Sequence, residues 1–377
     1  MMHSPGLLMT IGAFLLMLGP LVFFHELGHY FAGRWFGIKA DVFSIGFGRE
    51  IAGWTDKRGT RWKLSVLPLG GYVKFAGDMD ASSQADPAWI ALPPEERART
   101  FPAKPVWQRA IVVAAGPITN FVLAFLIALG FALAYGQDLT PSQVGKVLPN
   151  SAAAAAGLQP GDRITALNGR PMATFEDLVF FVQLRANQPV HVDFERAGVA
   201  MARDTMIKTD RFTDKFGNEI KIGLLGISPT APIVAPVGLL EAPGVALHRI
   251  GAILRVTSDG LGQLITGQRS VKDMHGPVGM AAISGEQLSM GWTDFISLVA
   301  LVSINLGFIN LLPIPMLDGG HLLFYAIEAV RRRPVTPAIQ EWAFRGGLAA
   351  ILLLFLVVTF NDLGAVGVWK HLAGLIG

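Results

Sequence analysis

His25, Glu26 and His29 are spaced as the working parts of a metal hydrolase would be. On a helix of about 3.6 residues per turn, positions i and i+4 share a face, so the two imidazoles can chelate one ion. Glu26 stands one residue round from the first imidazole. There it can reach a water beside the ion without being a ligand, which is where a general base belongs. The pattern His-Glu-x-x-His fixes only three positions, and on a surface helix it would be two solvated imidazoles and a carboxylate. Here Phe23 and Phe24 precede it, and Tyr30, Phe31, Trp35 and Phe36 follow. Ionisable groups in so apolar a setting are costly unless partnered, and that favours a metal site.

A catalytic zinc takes three protein ligands and leaves a fourth position open, so the pair needs a third partner. The chain has no cysteine, which excludes thiolate ligands and disulfides and leaves His, Asp or Glu. One stretch offers candidates: Pro313-Ile314-Pro315-Met316-Leu317-Asp318-Gly319-Gly320-His321. Its two prolines and two glycines must interrupt an apolar helix, and broken backbone at membrane depth is tolerated only when buried in protein or lining a cavity. Asp318 falls within the break and is the favoured third ligand; His321, where the helix resumes, is the rival. Asn310, just ahead of the break, either bonds the substrate or a developing oxyanion or simply packs. Asn120, inside another apolar stretch, reads as a packing residue that bonds across to a neighbouring helix.

The elements that must position these residues are membrane helices. Of 377 residues, 51% are hydrophobic and 16% charged, and the mean hydropathy is +0.46, values of a polytopic α-helical membrane protein with about four transmembrane helices. The net charge of +3 comes from Arg and Lys placed mainly in loops beside apolar runs, a positive-inside pattern, so nucleic-acid binding is not supported.

Residues 1–36 carry the first transmembrane helix and the His-Glu-x-x-His motif. No Lys or Arg precedes the apolar run, which reads as a retained span rather than a cleaved signal. Residues 37–105 hold a β-hairpin sheet and a cytoplasmic linker. The sheet is either a cytoplasmic-side appendage or a membrane-dipping sheet whose free edge pairs with an extended substrate. The second transmembrane helix occupies 106–136. Residues 137–225 form an inserted β-rich module, and 226–293 an amphipathic region expected to lie on the surface beside the membrane, with His248 and His275 as ordinary surface residues. Residues 294–333 hold the third span and its break, and 334–377 the fourth helix. Charge placement puts both termini and the inserted module outside.

The run Gly157-Leu158-Gln159-Pro160-Gly161-Asp162-Arg163-Ile164 in the inserted module resembles a PDZ domain, whose groove takes an added peptide strand or a chain end. The whole chain resembles the site-2 protease family of intramembrane metalloproteases, in its bacterial regulator-of-sigma-E branch. The marks are His25-Glu26-Leu27-Gly28-His29, then Gly116-Pro117-Ile118-Thr119-Asn120, then Asn310 followed by Pro313, Leu317, Asp318 and Gly319. The resemblance implies Zn2+ held by His25, His29 and Asp318, with Glu26 as base. It also implies cleavage in or beside the span of single-span membrane proteins in a bacterial inner membrane, such as an anti-sigma factor already trimmed outside. Members with two PDZ domains exist, whereas residues 137–293 leave room for one. A non-catalytic receptor with a PDZ module and a structural zinc is the alternative, and it gives Glu26 no role. A zinc transporter would need ligands staggered along a path, and the sequence offers one cluster.

Overall fold

The computed structural model describes residues 6–78, 87–213, 219–270, 274 and 276–365. In chain order the elements are α1 (Leu7–Trp35), β1 (Ala40–Thr55), β2 (Arg61–Phe75), a 3-10 turn (Pro87–Ala91), α2 (Pro94–Arg97) and α3 (Val106–Tyr135). Then come β3 (Gln137–Asp138), β4 (Val144–Val147), α4 (Ala152–Ala155), β5 (Arg163–Leu167), β6 (Arg170–Pro171), α5 (Phe175–Gln183), β7 (Pro189–Arg196) and β8 (Val199–Met206). β9 (Lys208–Thr213), β10 (Glu219–Leu224), β11 (Ile227–Pro229) and β12 (Val234–Ala235) follow, and the chain closes with α6 (Ala242–Ile265), α7 (Pro277–Met290), α8 (Trp292–Asn310), α9 (Asp318–Arg331) and α10 (Pro337–Ala365). Four helices are long and apolar enough to cross a membrane: Leu7–Trp35, Val106–Tyr135, Trp292–Asn310 and Ala338–Gly364. The protein is a membrane protein. His275 and residues 79–86 of the expected linker lie outside the described residues.

The chain divides into two compact units, one of residues 1–127 and 276–357 and the other of 128–275 and 358–377. In the first, α1 is the central helix. Ala13, Met17 and Leu21 pack with Phe295 and Leu298 of α8 and with Met280 and Ile283 of α7. Residues 277–290 belong to the stretch 226–293 expected to lie on the surface; instead α7 buries Ala282, Ser284 and Gly285, with Ser284 Oγ 3.9 Å from Met17 Sδ. Small side chains let one helix approach another closely, and a run of Gly, Ala and Ser hides that as readily as it signals it.

The sheet is no detached appendage. The first part of β1 faces β2 twice: residues 40–45 pair with 71–75, and residues 42–45 also pair, in rising register, with 61–64. The later part of β1, residues 50–55, pairs with 61–65 from the other side. Residues 71–75 are therefore one edge and 50–55 the other. Phe43, Val73 and Phe75 of the sheet share a core with Tyr30 of α1 and Val112 and Val113 of α3, and Trp62 stacks on Phe43 with centroids 4.3 Å apart. At the turn between β1 and β2, Asp56 Oδ1 accepts from the N–H groups of Arg58 and Thr60, which closes the hairpin.

The second unit holds the β-rich module, with a four-stranded sheet in the order β6-β5-β7-β8 and a core of Val144, Ile164, Leu167, Leu178, Val192 and Phe194. Thr174 caps α5 in a reciprocal capping box with Asp177. Arg196 donates two hydrogen bonds to Asp162 and a third to the Gly157 carbonyl. Burial pushes the Asp162 carboxyl up, but the Arg196 and Gln159 hydrogen bonds outweigh it and hold the group below the usual carboxylate range. The module runs past its expected end at 225, because β11 pairs with β4 and β12 with β3. Asp259 of α6 takes ion pairs from Arg170 and Arg185, which fastens that helix to the module.

Candidate metal centre

Three spans of the first unit build one site. His25 and His29 sit one turn apart on the buried face of α1, with ring centroids 4.9 Å apart and Nε2 atoms 3.3 Å apart. The chain between α8 and α9, residues 311–317, turns back so that Asp318 becomes the first residue of α9. Met316 takes φ +80° within this break. Gly319 and Gly320 are required there: a Cβ on Gly319 would lie 2.1 Å from the Leu312 carbonyl oxygen, and one on Gly320 2.4 Å from that of Ile314. The effect is to aim Asp318 at α1, its Oδ2 3.2 Å from His25 Nε2 and its Oδ1 3.5 Å from His29 Nε2.

Those three separations test the site for zinc. Ligand atoms at 2.0–2.1 Å from a tetrahedral ion stand about 3.3 Å from one another. The observed edges of 3.2, 3.3 and 3.5 Å match, and one carboxylate with two imidazoles is a donor set that zinc takes. Among the described residues His25, His29 and Asp318 form the group able to hold a metal. His321 is not part of it, since its ring packs on Phe344 with centroids 4.8 Å apart.

Helix α3 also holds the two imidazole rings. His29 Nδ1 donates to the Val112 carbonyl of α3 at 2.9 Å, which leaves Nε2 as the free lone pair. α3 comes this close because Gly116 has no side chain; a Cβ there would stand 2.2 Å from His29 Nε2. Asn120, read from the sequence as packing, reaches His25 Nδ1 at 3.1 Å. The signal for that role lay in its spacing of eight from Val112 along one helix face, but only the tertiary structure shows what that face meets. Glu26 is buried and has no Lys or Arg ion-pair partner among the described residues. The sheet edge lies against it, since a Cβ on Gly71 would stand 2.8 Å from Glu26 Cγ. Asn310 closes α8, half-buried, at the start of the break.

Residues 13–354 match the family model described as peptidase family M50. A protein of Agrobacterium fabrum whose given name is that of a zinc metalloprotease is 44% identical over 357 residues, covering 93% of this chain and 95% of that one. A similarly named protein of Rhizobium meliloti is 43% identical, covering 94% and 96%. Metalloprotease MmpA of Caulobacter vibrioides is 37% identical over 400 residues, covering 98% and 99%. Among solved structures, the PDZ domain of an SdrC-like protein from Listeria monocytogenes aligns with 24% of this chain and 88% of its own, at 21% identity and a TM-score of 0.19. A single family model spanning nearly the whole chain, with relatives matched almost end to end, places this zinc metalloprotease in peptidase family M50.

Proposed function

We propose that the protein is an intramembrane protease in which His25, His29 and Asp318 hold the zinc and Glu26 is the general base. When bound there, zinc supplies Lewis acidity, polarising the scissile carbonyl and making a water acidic enough to lose a proton near neutral pH. Glu26 takes that proton and delivers it to the departing amine nitrogen, so one carboxylate serves both halves of the hydrolysis. With no Lys or Arg paired to it among the described residues, it is free for both transfers. A structural zinc in a receptor would have no use for a buried carboxylate beside the ligands, and this disfavours the non-catalytic reading.

The substrate is a single-span membrane protein, and an anti-sigma factor already shortened outside the membrane fits the family resemblance. A protease holds its substrate extended, and the sheet edge at 71–75 runs beside Glu26, so we assign that edge to pairing with the chain to be cut. Asn310, at the mouth of the break, is assigned to the substrate or to the oxyanion that forms from its carbonyl. The β-rich module is assigned as a PDZ domain on the outer side of a bacterial inner membrane, with both chain termini on that side, where it screens which substrates approach.

The observation that carries the reading is the convergence of Asp318 on His25 and His29 beside the buried Glu26. Its test is Glu26→Gln in the full-length protein. Zinc content should stay at one equivalent while cleavage of a single-span substrate falls by about 10²–10⁴-fold. Turnover near that of the native protein would overturn the assignment of Glu26.

A further inference from the structure

Asn120 is wholly buried on α3, and its side chain meets the metal centre from behind. Its amide lies 3.1 Å from His25 Nδ1, the ring atom facing away from Asp318. The other end of the amide, at Oδ1, has no hydrogen-bond partner. A carboxamide presents either its oxygen or its nitrogen by a half-turn about its last bond, so the chemistry of the partner decides which end faces His25. If the NH2 donates to Nδ1, the proton of the neutral imidazole must sit on Nε2, and Nε2 is then closed to a metal. If the oxygen faces Nδ1 it accepts the ring N–H, and Nε2 keeps its lone pair for the ion. With Nδ2 toward His25, Oδ1 is left unpartnered, so burial gives that orientation no support, and metal binding requires the other.

We propose that Asn120 is a positioning residue that accepts the Nδ1–H of His25 and thereby fixes the tautomer and ring orientation of that ligand. This rests on the assignment of His25 as a zinc ligand made above. The same helix performs the same task twice. The Val112 carbonyl holds Nδ1–H of His29 at 2.9 Å, and Asn120, two turns further on the same face, holds His25. Gly116 lies between them and leaves room for the His29 imidazole. Asn120 is itself held, because Ser303 Oγ, wholly buried on α8, donates to its backbone carbonyl at 2.8 Å. The helix that leads into the Asp318 break thus also fixes the turn that orients His25. Loss of a hydrogen-bond acceptor behind a metal-ligating histidine costs roughly 10–100-fold in metal affinity, and a carboxylate is as good an acceptor there as an amide oxygen.

The experiment measures zinc affinity of the full-length protein in detergent, stripped of metal and titrated against a chromophoric chelator, with thermal unfolding followed in parallel. We expect Asn120→Ala and Asn120→Leu to bind zinc about 10–100-fold more weakly, and Asn120→Asp to bind as tightly as the native protein or more tightly. Native-like affinity in Asn120→Ala would overturn the proposal. So would an Asn120→Asp protein that unfolds at the native temperature yet binds zinc as weakly as Asn120→Ala, for the contact would then be a donor or mere packing. His25→Ala separates the two readings. If it retains native zinc affinity, the ligand assignment itself fails; if it loses zinc while Asn120→Ala does not, only the role of Asn120 fails.

Discussion

His25 and His29 ride on α1, which runs 29 residues as one helix, whereas Asp318 is delivered by the break between α8 and α9. The two histidines owe their separation to helical periodicity alone and would face the same way on any helix that formed. Asp318 owes its position to packing: backbone carbonyls of residues 311, 312 and 314 seat Gly319 and Gly320, and Pro315 fills the space left by Gly347 on α10. One half of the site is local and robust, and the other is tertiary and fragile. Substitutions on the Asp318 side should therefore cost metal through geometry, whereas on α1 a new methyl should do so only where it meets a packed neighbour, as at Gly28 against the Ala115 carbonyl, and not at Gly19.

The largest effect expected is that of Asp318→Asn, which keeps the shape of the side chain and removes the charge that the proposed ligand role needs. Zinc affinity should fall by more than the roughly 100-fold of an outer contact, and cleavage should vanish with it. His321→Ala should retain zinc, because that ring lies on Phe344. A full equivalent of zinc on folded Asp318→Asn, with loss in His321→Ala, would exchange the two roles.

Next comes Gly319→Ala. The added methyl would meet the Leu311 and Leu312 carbonyls, so the break must shift and carry Asp318 with it. Overpacking of this kind costs about 1–3 kcal/mol, and zinc titration should show weaker binding although no ligand has been touched. Unchanged affinity would mean that the break can relax without moving the carboxylate.

Gly116→Ala probes the α1 side from across the helix crossing. Its methyl would press on His29 Nε2, and the imidazole must swing away. Zinc binding should weaken by about 10–100-fold while the α1 helix itself persists by circular dichroism. The smallest effect belongs to Gly19→Ala, where nothing lies within 4 Å of the new methyl. Removing a glycine from a helix interior should leave zinc affinity unchanged and raise stability by about 0.5–1 kcal/mol, read as a higher unfolding midpoint. A loss of zinc in this variant would show that α1 is not the robust half.

Legibility in the sequence follows the same division. His25, Glu26 and His29 could be placed because one helix fixes their spacing, and Asp318 because prolines and glycines mark a break that a membrane tolerates only for a reason. The span positions were readable from apolar length, since each of the four long helices coincides with an apolar run. The role of Asn120 was not, because nothing in residues 116–120 says that this face of α3 meets His25 rather than another helix. The double pairing of residues 42–45 with two parts of β2 was equally hidden: strand propensity identifies the runs but not which of them lie side by side. The module outran its expected end for a related reason, because β11 is three residues in a proline-rich stretch and gains its strand conformation from pairing with β4.

The distance along the chain between the two halves of the site bears on how the protein is made. Asp318 follows His29 by 289 residues. At ribosomal rates of about 5–20 residues per second, roughly 15–60 s pass between the emergence of the histidines and that of the carboxylate. On the proposed assignment, the nascent chain carries two of its three ligands through that interval and lacks the third. With the three residues holding zinc as proposed, the site cannot be completed before Asp318 has been made, so the protein is inert while everything ahead of that residue is being inserted.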